Sequence, residues 1–309
     1  MEYRKLGCTD FSVSRIAFGC WAIGGHGYGK VDDRESVKAI QRALDLGINI
    51  FDTADVYGFG HSEEILARAL GKNRKKALIA TKFGVAWDTR GRTRKDCRPK
   101  RINEALEGSL RRLKIDCIPL YQIHWHDGVT PIEAIMKTLV ECQKAGKIRY
   151  IGCSNFSIRL IRKACKINSV ESNQMLYNLL DRDAEKDIVK CAKELKIGVL
   201  AYSVLSRGLF SGKYNEGSEF GSNDTRNRDN NFKGKGLKKN LRVHDKLKEV
   251  ASDYNKIPIQ VAIRWVLDNP HITSAIVGIK TIDQLEENVG AIGWELRTND
   301  REILSNMAE

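Results

Sequence analysis

The chain has 309 residues, with 52 Lys+Arg against 39 Asp+Glu and a formal charge of +13. With 42% hydrophobic and 29% charged residues it holds enough apolar matter for a large core, which excludes disorder as the main state. The longest nearly uncharged apolar stretch, 16–25, is far shorter than the ~20 residues that span a bilayer, and Met1-Glu2-Tyr3-Arg4-Lys5 lacks the apolar run of a signal peptide, so a cytoplasmic protein is expected.

In chain order, one beat repeats. Tyr3-Arg4-Lys5-Leu6-Gly7 and Phe11-Ser12-Val13 read as an N-terminal hairpin. An apolar run at 16–19 precedes a stretch at 33–46 whose Val37, Ile40, Ala43 and Leu44 have helical spacing, and Gly47 is placed to end it. The following strand and helix pairs are 48–51 with 62–70, 77–81 with 100–113, and 117–123 with 131–145. Four more follow: 148–153 with 157–166, 170–172 with 183–195, 198–201 with 259–268, and 273–277 with 281–290. Pro99, Pro131 and Pro258 fall near helix starts, where a missing N–H costs little. Eight such units predict a (β/α)8 TIM barrel, one domain over 1–309, with an N-terminal β-hairpin cap. An open doubly wound sheet is the alternative, but it would favour an early glycine fingerprint running into a helix. Segment 211–240, rich in Gly, Asn, Lys and Arg, reads as a long mobile loop after strand seven.

Barrel active sites form where strands end and the next loop begins. Those places hold Asp52 and then Tyr57, Lys82, His124, Ser154-Asn155, Asn173-Gln174, Tyr202-Ser203 and Gly278-Ile279-Lys280. The first four types suit proton donation to a carbonyl. A phenol, with a pKa of about 10, becomes a usable acid when an ammonium favours its anion. A carboxylate can hold that ammonium, and an imidazole can orient the carbonyl oxygen. Gly152-Cys153-Ser154-Asn155-Phe156 lacks the second glycine of a nucleophile elbow.

Asp52-x4-Tyr57, Lys82 after an apolar strand, and Tyr121-Gln122-Ile123-His124-Trp125 resemble the catalytic segments of the aldo-keto reductase superfamily. Gly47-Ile48-Asn49-Ile50-Phe51-Asp52-Thr53-Ala54 is similar to the superfamily's second-strand signature, and Ile148-Arg149-Tyr150-Ile151-Gly152-Cys153-Ser154-Asn155-Phe156 to its fifth. The resemblance covers essentially the whole chain. It implies an NADPH-dependent reductase of aldehydes and ketones with Tyr57 as general acid, Lys82 lowering its pKa, Asp52 pairing Lys82, and His124 orienting the carbonyl. It further implies Ser154, Asn155 and Gln174 on the nicotinamide carboxamide and Tyr202 stacked on the ring. Ser203, Leu205, Arg207, Gly208, Leu209 and Lys213 would cover the pyrophosphate. Gly278, Lys280, Gln284, Glu287 and Asn288 would hold the adenosine end, with Lys280 reading a 2′-phosphate. Val204 and His126 stand where the superfamily usually has Pro, and Pro119 replaces a common acidic residue. Potassium-channel β subunits share the resemblance, so a cofactor-sensing regulatory subunit is the alternative.

Other features have plainer readings. Trp21, Trp125 and His126 are expected at the substrate pocket, Trp87 either there or in packing, and Trp265 and Trp294 in the structure. His124-x-His126 could be a metal pair in a barrel metallohydrolase, but only six His are present and none ends strands five to eight, so no metal is expected. Gly24-x4-Gly29-Lys30 imitates a P-loop but continues with Val31 where a hydroxyl is needed, and reads as a flexible loop near the substrate. The eight Cys form no Cys-x-x-Cys pair and read as small reduced fillers. The basic run 90–101 has no interleaved aromatic and reads as a solvated loop, so neither a nucleic-acid nor a membrane partner is expected.

Overall fold

A computed structural model describes residues 1–27, 31–221 and 224–308. The P-loop-like Gly29 and Lys30 lie outside the described residues. Two short strands, β1 (Tyr3–Lys5) and β2 (Ser12–Ser14), form the expected antiparallel hairpin. The barrel follows: β3 (Ile16–Gly19), β4 (Ile50–Asp52) and β5 (Leu78–Phe83), then, after a second hairpin of β6 (Val85–Trp87) and β7 (Thr93–Lys95), β8 (Ile118–Ile123), β9 (Ile148–Ser154), β10 (Ser172–Leu176), β11 (Gly198–Tyr202) and β12 (Ser274–Gly278). These eight strands close in sequence order, all parallel, with β12 pairing back onto β3.

Helices α1 (Asp33–Asp45), α2 (His61–Leu70), α3 (Pro99–Leu113), α4 (Ile132–Lys144), α5 (Ile158–Cys165), α6 (Glu185–Lys193), α7 (Gly234–Asp253), α8 (Pro258–Leu267), α9 (Ile282–Val289) and α10 (Thr298–Ala308) surround it. Local chemistry sets several starts. The Asp32 carboxylate accepts from the Arg34 and Glu35 amides, and Pro occupies the first turn of α3 and α8. One apolar layer lies between strands and helices. A second fills the barrel: Leu6 and Val13 from the hairpin side meet Ala17, Ile50, Leu78, Leu120 and Leu200, plugging the end where the strands begin. The other end is left open, and the site lies there. No helix among the described residues is long and apolar enough to cross a membrane.

Three expectations need correction. The sixth strand is Ser172–Leu176 and not 170–172, so Asn173 and Gln174 lie within it. Three of its four buried residues are polar, Ser172, Asn173 and Gln174, the last two hydrogen-bonded inside the protein, and this run hides the usual apolar signal. Segment 211–240 is not one long loop. It makes short 3₁₀ turns at Thr225–Arg228 and Asn230–Phe232, then enters α7 at Gly234. Two glycines open that helix and mask its start, while buried Leu237, Val243, Leu247 and Val250 recur at helical spacing. The segment is pinned by its own apolar cluster of Leu209, Phe232 and Leu237, flanked by Tyr214 and Phe220. The basic run 90–101, finally, contains β7, the second strand of the β6–β7 hairpin, with Arg92 paired to Asp88, Arg98 to Asp96 and Arg101 to buried Asp55.

Candidate active site

At the open end, β4 ends on Asp52, β5 carries Lys82, and His124 follows β8. The Lys82 ammonium is completely buried and uses all three of its donors: on Asp52 Oδ2 at 2.7 Å, on the Thr53 carbonyl at 2.9 Å and on the Tyr57 hydroxyl at 3.2 Å. It also lies 4.8 Å from the Tyr57 ring centroid. The His124 ring meets Tyr57 edge-on at 5.7 Å, and its Nδ1 is buried with no protein partner among the described residues.

The electrostatics follow from burial. Desolvation pushes the Tyr57 phenol up to about 12, against the opposing pull of Lys82. The expected lowering by Lys82 is present but outweighed. Burial also works against the charge on Lys82, yet Asp52 and Tyr57 more than offset it and hold the ammonium above its ordinary value. Burial and then Lys82 push the His124 imidazole well below its ordinary value, so it is neutral near pH 7. One acid, one fixed cation and one neutral imidazole therefore meet at a single point.

The loop carrying Tyr57 is held by close approach of two backbones. Gly58 has φ +60°, and a Cβ there would lie 2.0 Å from the Gly24 carbonyl oxygen. Phe59 beside it also has positive φ, of 57°. Gly58→Ala is expected to lower stability by at least about 1 kcal/mol and to displace Tyr57, read as a lower urea midpoint together with reduced turnover. An unchanged midpoint would mean that the two loops separate without cost.

Tyr57 and His124 open onto a cavity of ≈ 1670 Å³ that runs from Trp21 and Trp125, past Asn155 and Tyr202, to Lys280 and Asn288. Along it Ser154 Oγ donates to the Gln174 carbonyl (3.1 Å), Asn155 Nδ2 to Ser154 Oγ (3.0 Å), and the Tyr202 hydroxyl to Asn155 Oδ1 (2.9 Å). At the far end Lys280, half-buried, is depressed by burial and by the charges of Arg226 and Lys213. The trough thus joins amide and hydroxyl groups at one end to clustered cations at the other.

The Aldo/keto reductase family model matches residues 15–309. The chain belongs to the aldo-keto reductase family. It is 39% identical to Aldo-keto reductase YhdN of Bacillus subtilis, over all of this chain and 94% of that protein. It is 36% identical to the Schizosaccharomyces pombe aldo-keto reductase yakc, whose name specifies NADP(+), over 95% and 87% of the two chains. Among solved structures, the glycerol dehydrogenase AKR11B4 of Gluconobacter oxydans superposes with a TM-score of 0.91 at 38% identity, covering 99% of this chain and 94% of that one. Membership in the aldo-keto reductases makes this an oxidoreductase fold for carbonyl reduction with a nicotinamide cofactor.

The cavity gathers most of the residues singled out from sequence. Asp52, Tyr57, His124, Ser154, Asn155, Gln174, Tyr202, Ser203, Leu205, Arg207, Gly208, Lys213, Gly278, Lys280, Gln284, Glu287 and Asn288 all line the cavity, and Lys82 lies beneath its floor. Gln284 also closes the first turn of α9, accepting from the Lys280 amide at 2.9 Å. Asn155, Ser203 and Arg207 take positive φ, which concentrates backbone strain along this wall.

Two residues fall elsewhere. Leu209 is 1% exposed and packs with Phe232 and Leu237, so it holds the loop from inside and does not face the cavity. His126 is not a cavity wall: its Nδ1 accepts from the Gly128 amide at 2.9 Å and its ring meets Phe156. Among the described residues no group of three or more His, Cys, Asp or Glu could hold a metal, so His124 and His126 have no third ligand. Trp21 and Trp125 wall the mouth, whereas Trp87 stands behind Phe59 at 5.8 Å. Sequence reasoning missed His26, Phe59, Tyr214, Arg226 and Arg228 on the wall. The pair Arg226-x-Arg228 was the one available signal for the cations, and it lay inside a segment read as unstructured.

Proposed function

We propose that the protein is a cytoplasmic, single-domain, NADPH-dependent reductase that converts aldehydes or ketones to alcohols. The observation that carries this reading is the three-way sharing of the Lys82 ammonium among Asp52, the Thr53 carbonyl and the Tyr57 hydroxyl, at the floor of a cavity long enough for a dinucleotide. The donor set fits such a cofactor: hydroxyl and amide groups of Ser154, Asn155 and Gln174 lie near Tyr57, and the cations Lys213, Arg226 and Lys280 at the distant end. When bound, the nicotinamide supplies the hydride that goes to the carbonyl carbon.

The protein's own part is proton delivery. Tyr57 holds a proton tightly enough to arrive protonated at neutral pH. As negative charge grows on the substrate oxygen, the phenol gives up that proton, and the ammonium 3.2 Å away stabilises the resulting phenolate. Neutral His124 contributes an N–H to the same oxygen and lacks the second, acidic proton that would compete with Tyr57. Trp21 and Trp125 cover the mouth with apolar surface and reduce access of water.

Loss of NADPH absorbance with a panel of small aldehydes tests the activity, and the same assay with NADH tests the preference. Lys280→Met is expected to weaken NADPH roughly tenfold while leaving NADH unchanged, since one charge-assisted contact to a 2′-phosphate is lost. Equal loss for both cofactors would remove Lys280 from that role. Cofactor binding with no turnover on any carbonyl would favour a sensing subunit.

A further inference from the structure

Asp52 has two carboxylate oxygens, and Lys82 uses only Oδ2. Inside a barrel, a bare second oxygen would be costly and would let the carboxylate rotate away from its partner. Oδ1 instead faces two side-chain amides: Gln174 Nε2 at 2.7 Å and Gln122 Nε2 at 3.4 Å. The two differ in what else they touch. Gln174 lines the cavity, where the proposed cofactor would draw on its amide. Gln122 is fully buried and away from the cavity, so its donor stays with Asp52 whatever the cavity holds.

Gln122 sits there at a price in polar satisfaction. Its Oε1 is buried and has no partner among the described residues. The opposite amide orientation would set that oxygen against the carboxylate. The barrel also makes room for it. Gln122 lies beside Lys82 on one neighbouring strand and Gly152 on the other. A Cβ on Gly152 would come within 2.9 Å of Gln122 Cγ and 2.4 Å of Ser172 Oγ. The absent side chain leaves the space that the Gln122 Cγ and the Ser172 hydroxyl occupy. A neutral donor suits the place better than a cation, because a second positive charge would compete with Lys82 for the carboxylate.

We infer that Gln122 is a positioning residue for proton transfer, acting through Asp52 to hold the Lys82 ammonium against Tyr57. The inference rests on the proposed reductase reading. Gln122→Met keeps the volume and removes the donor. With Asp52 less well held, the phenolate is less stabilised and Tyr57 becomes a poorer acid, so kcat for a small aldehyde falls roughly tenfold. The alkaline rise of alcohol oxidation, which needs the phenolate, moves to higher pH. The aldehyde KM and the NADPH dissociation constant, the latter read by protein fluorescence, stay within about twofold because Gln122 touches neither ligand.

A double-mutant cycle completes the test. In an Asp52→Asn background the added Gln122→Met loss shrinks to less than about twofold, since there is no carboxylate left to hold, and the urea midpoints show the same non-additivity. Should Gln122→Met not fold, Gln122→Glu decides. Its carboxyl, protonated beside Asp52, donates an O–H and supports turnover at low pH, then loses it as pH rises. A folded Gln122→Met with wild-type kcat and pH profile overturns the positioning role, as does an equal loss in both backgrounds or a Gln122→Glu profile parallel to wild type. Absence of carbonyl turnover in the wild-type protein overturns the reductase reading itself, and the positioning role with it.

Discussion

Tyr57→Phe is expected to lower kcat for aldehyde reduction about a thousandfold, within the range that a positioned general acid supplies, while the NADPH dissociation constant stays unchanged. The ring is retained, so its contacts with Trp21 at 6.2 Å and His124 at 5.7 Å persist. Only the hydroxyl is lost, and with it the proton donor and one of the three acceptors of Lys82. The pH dependence separates this from a packing effect. In the oxidation direction the phenol must be ionised, and burial pushes its pKa up to about 12. Wild-type alcohol oxidation should therefore climb with pH through the alkaline range, and the residual rate of Tyr57→Phe should not. Stopped-flow measurement of hydride transfer in both directions provides the check. A Tyr57→Phe variant retaining a tenth of wild-type turnover would mean that another group, or water, delivers the proton.

Lys82→Met has the largest expected effect on the fold. It leaves the Asp52 carboxylate, 4% exposed at its side chain, without its cation. Breaking a buried pair from one side costs about 3–5 kcal/mol, because the surviving charge is desolvated and uncompensated. Turnover is lost as well, since nothing then stabilises the phenolate. The two losses separate in a second variant. Lys82→Met with Asp52→Asn removes both charges and should recover much of the stability, while activity stays absent. Urea unfolding of the two variants measures this. A Lys82→Met midpoint close to wild type would mean that hydrogen bonds from Gln122 and Gln174 suffice to stabilise the Asp52 carboxylate, or that the carboxyl takes up a proton.

The element order and the strand-end residues were legible because both are local signals. Apolar runs alternating with 3.6-residue periodicity mark each βα unit, and each strand delivers its last polar residue to the same end of the barrel. Asp52, Tyr57, Lys82 and His124 could thus be chosen from three separate segments, and the structure brings them within hydrogen-bonding or ring contact of one another. Signals failed where polar residues or glycines stand in place of the expected apolar ones. The sixth strand was hidden by Ser172, Asn173 and Gln174, and α7 by the glycines at its start.

By itself the sequence determined a barrel of eight parallel strands, the strand ends at which the candidate site lies, and the family to which the chain belongs, because these depend on residue type and spacing along the chain. Tertiary structure alone decided the rest. It turned Leu209 into the core and His126 away from the cavity, set Gln122 against Asp52 in the space that Gly152 leaves, and brought Arg226 beside Lys280 from 54 residues away. Which way a side chain faces, how far burial outweighs a neighbouring charge, and which distant groups meet are properties of packing in three dimensions. No local pattern carries them.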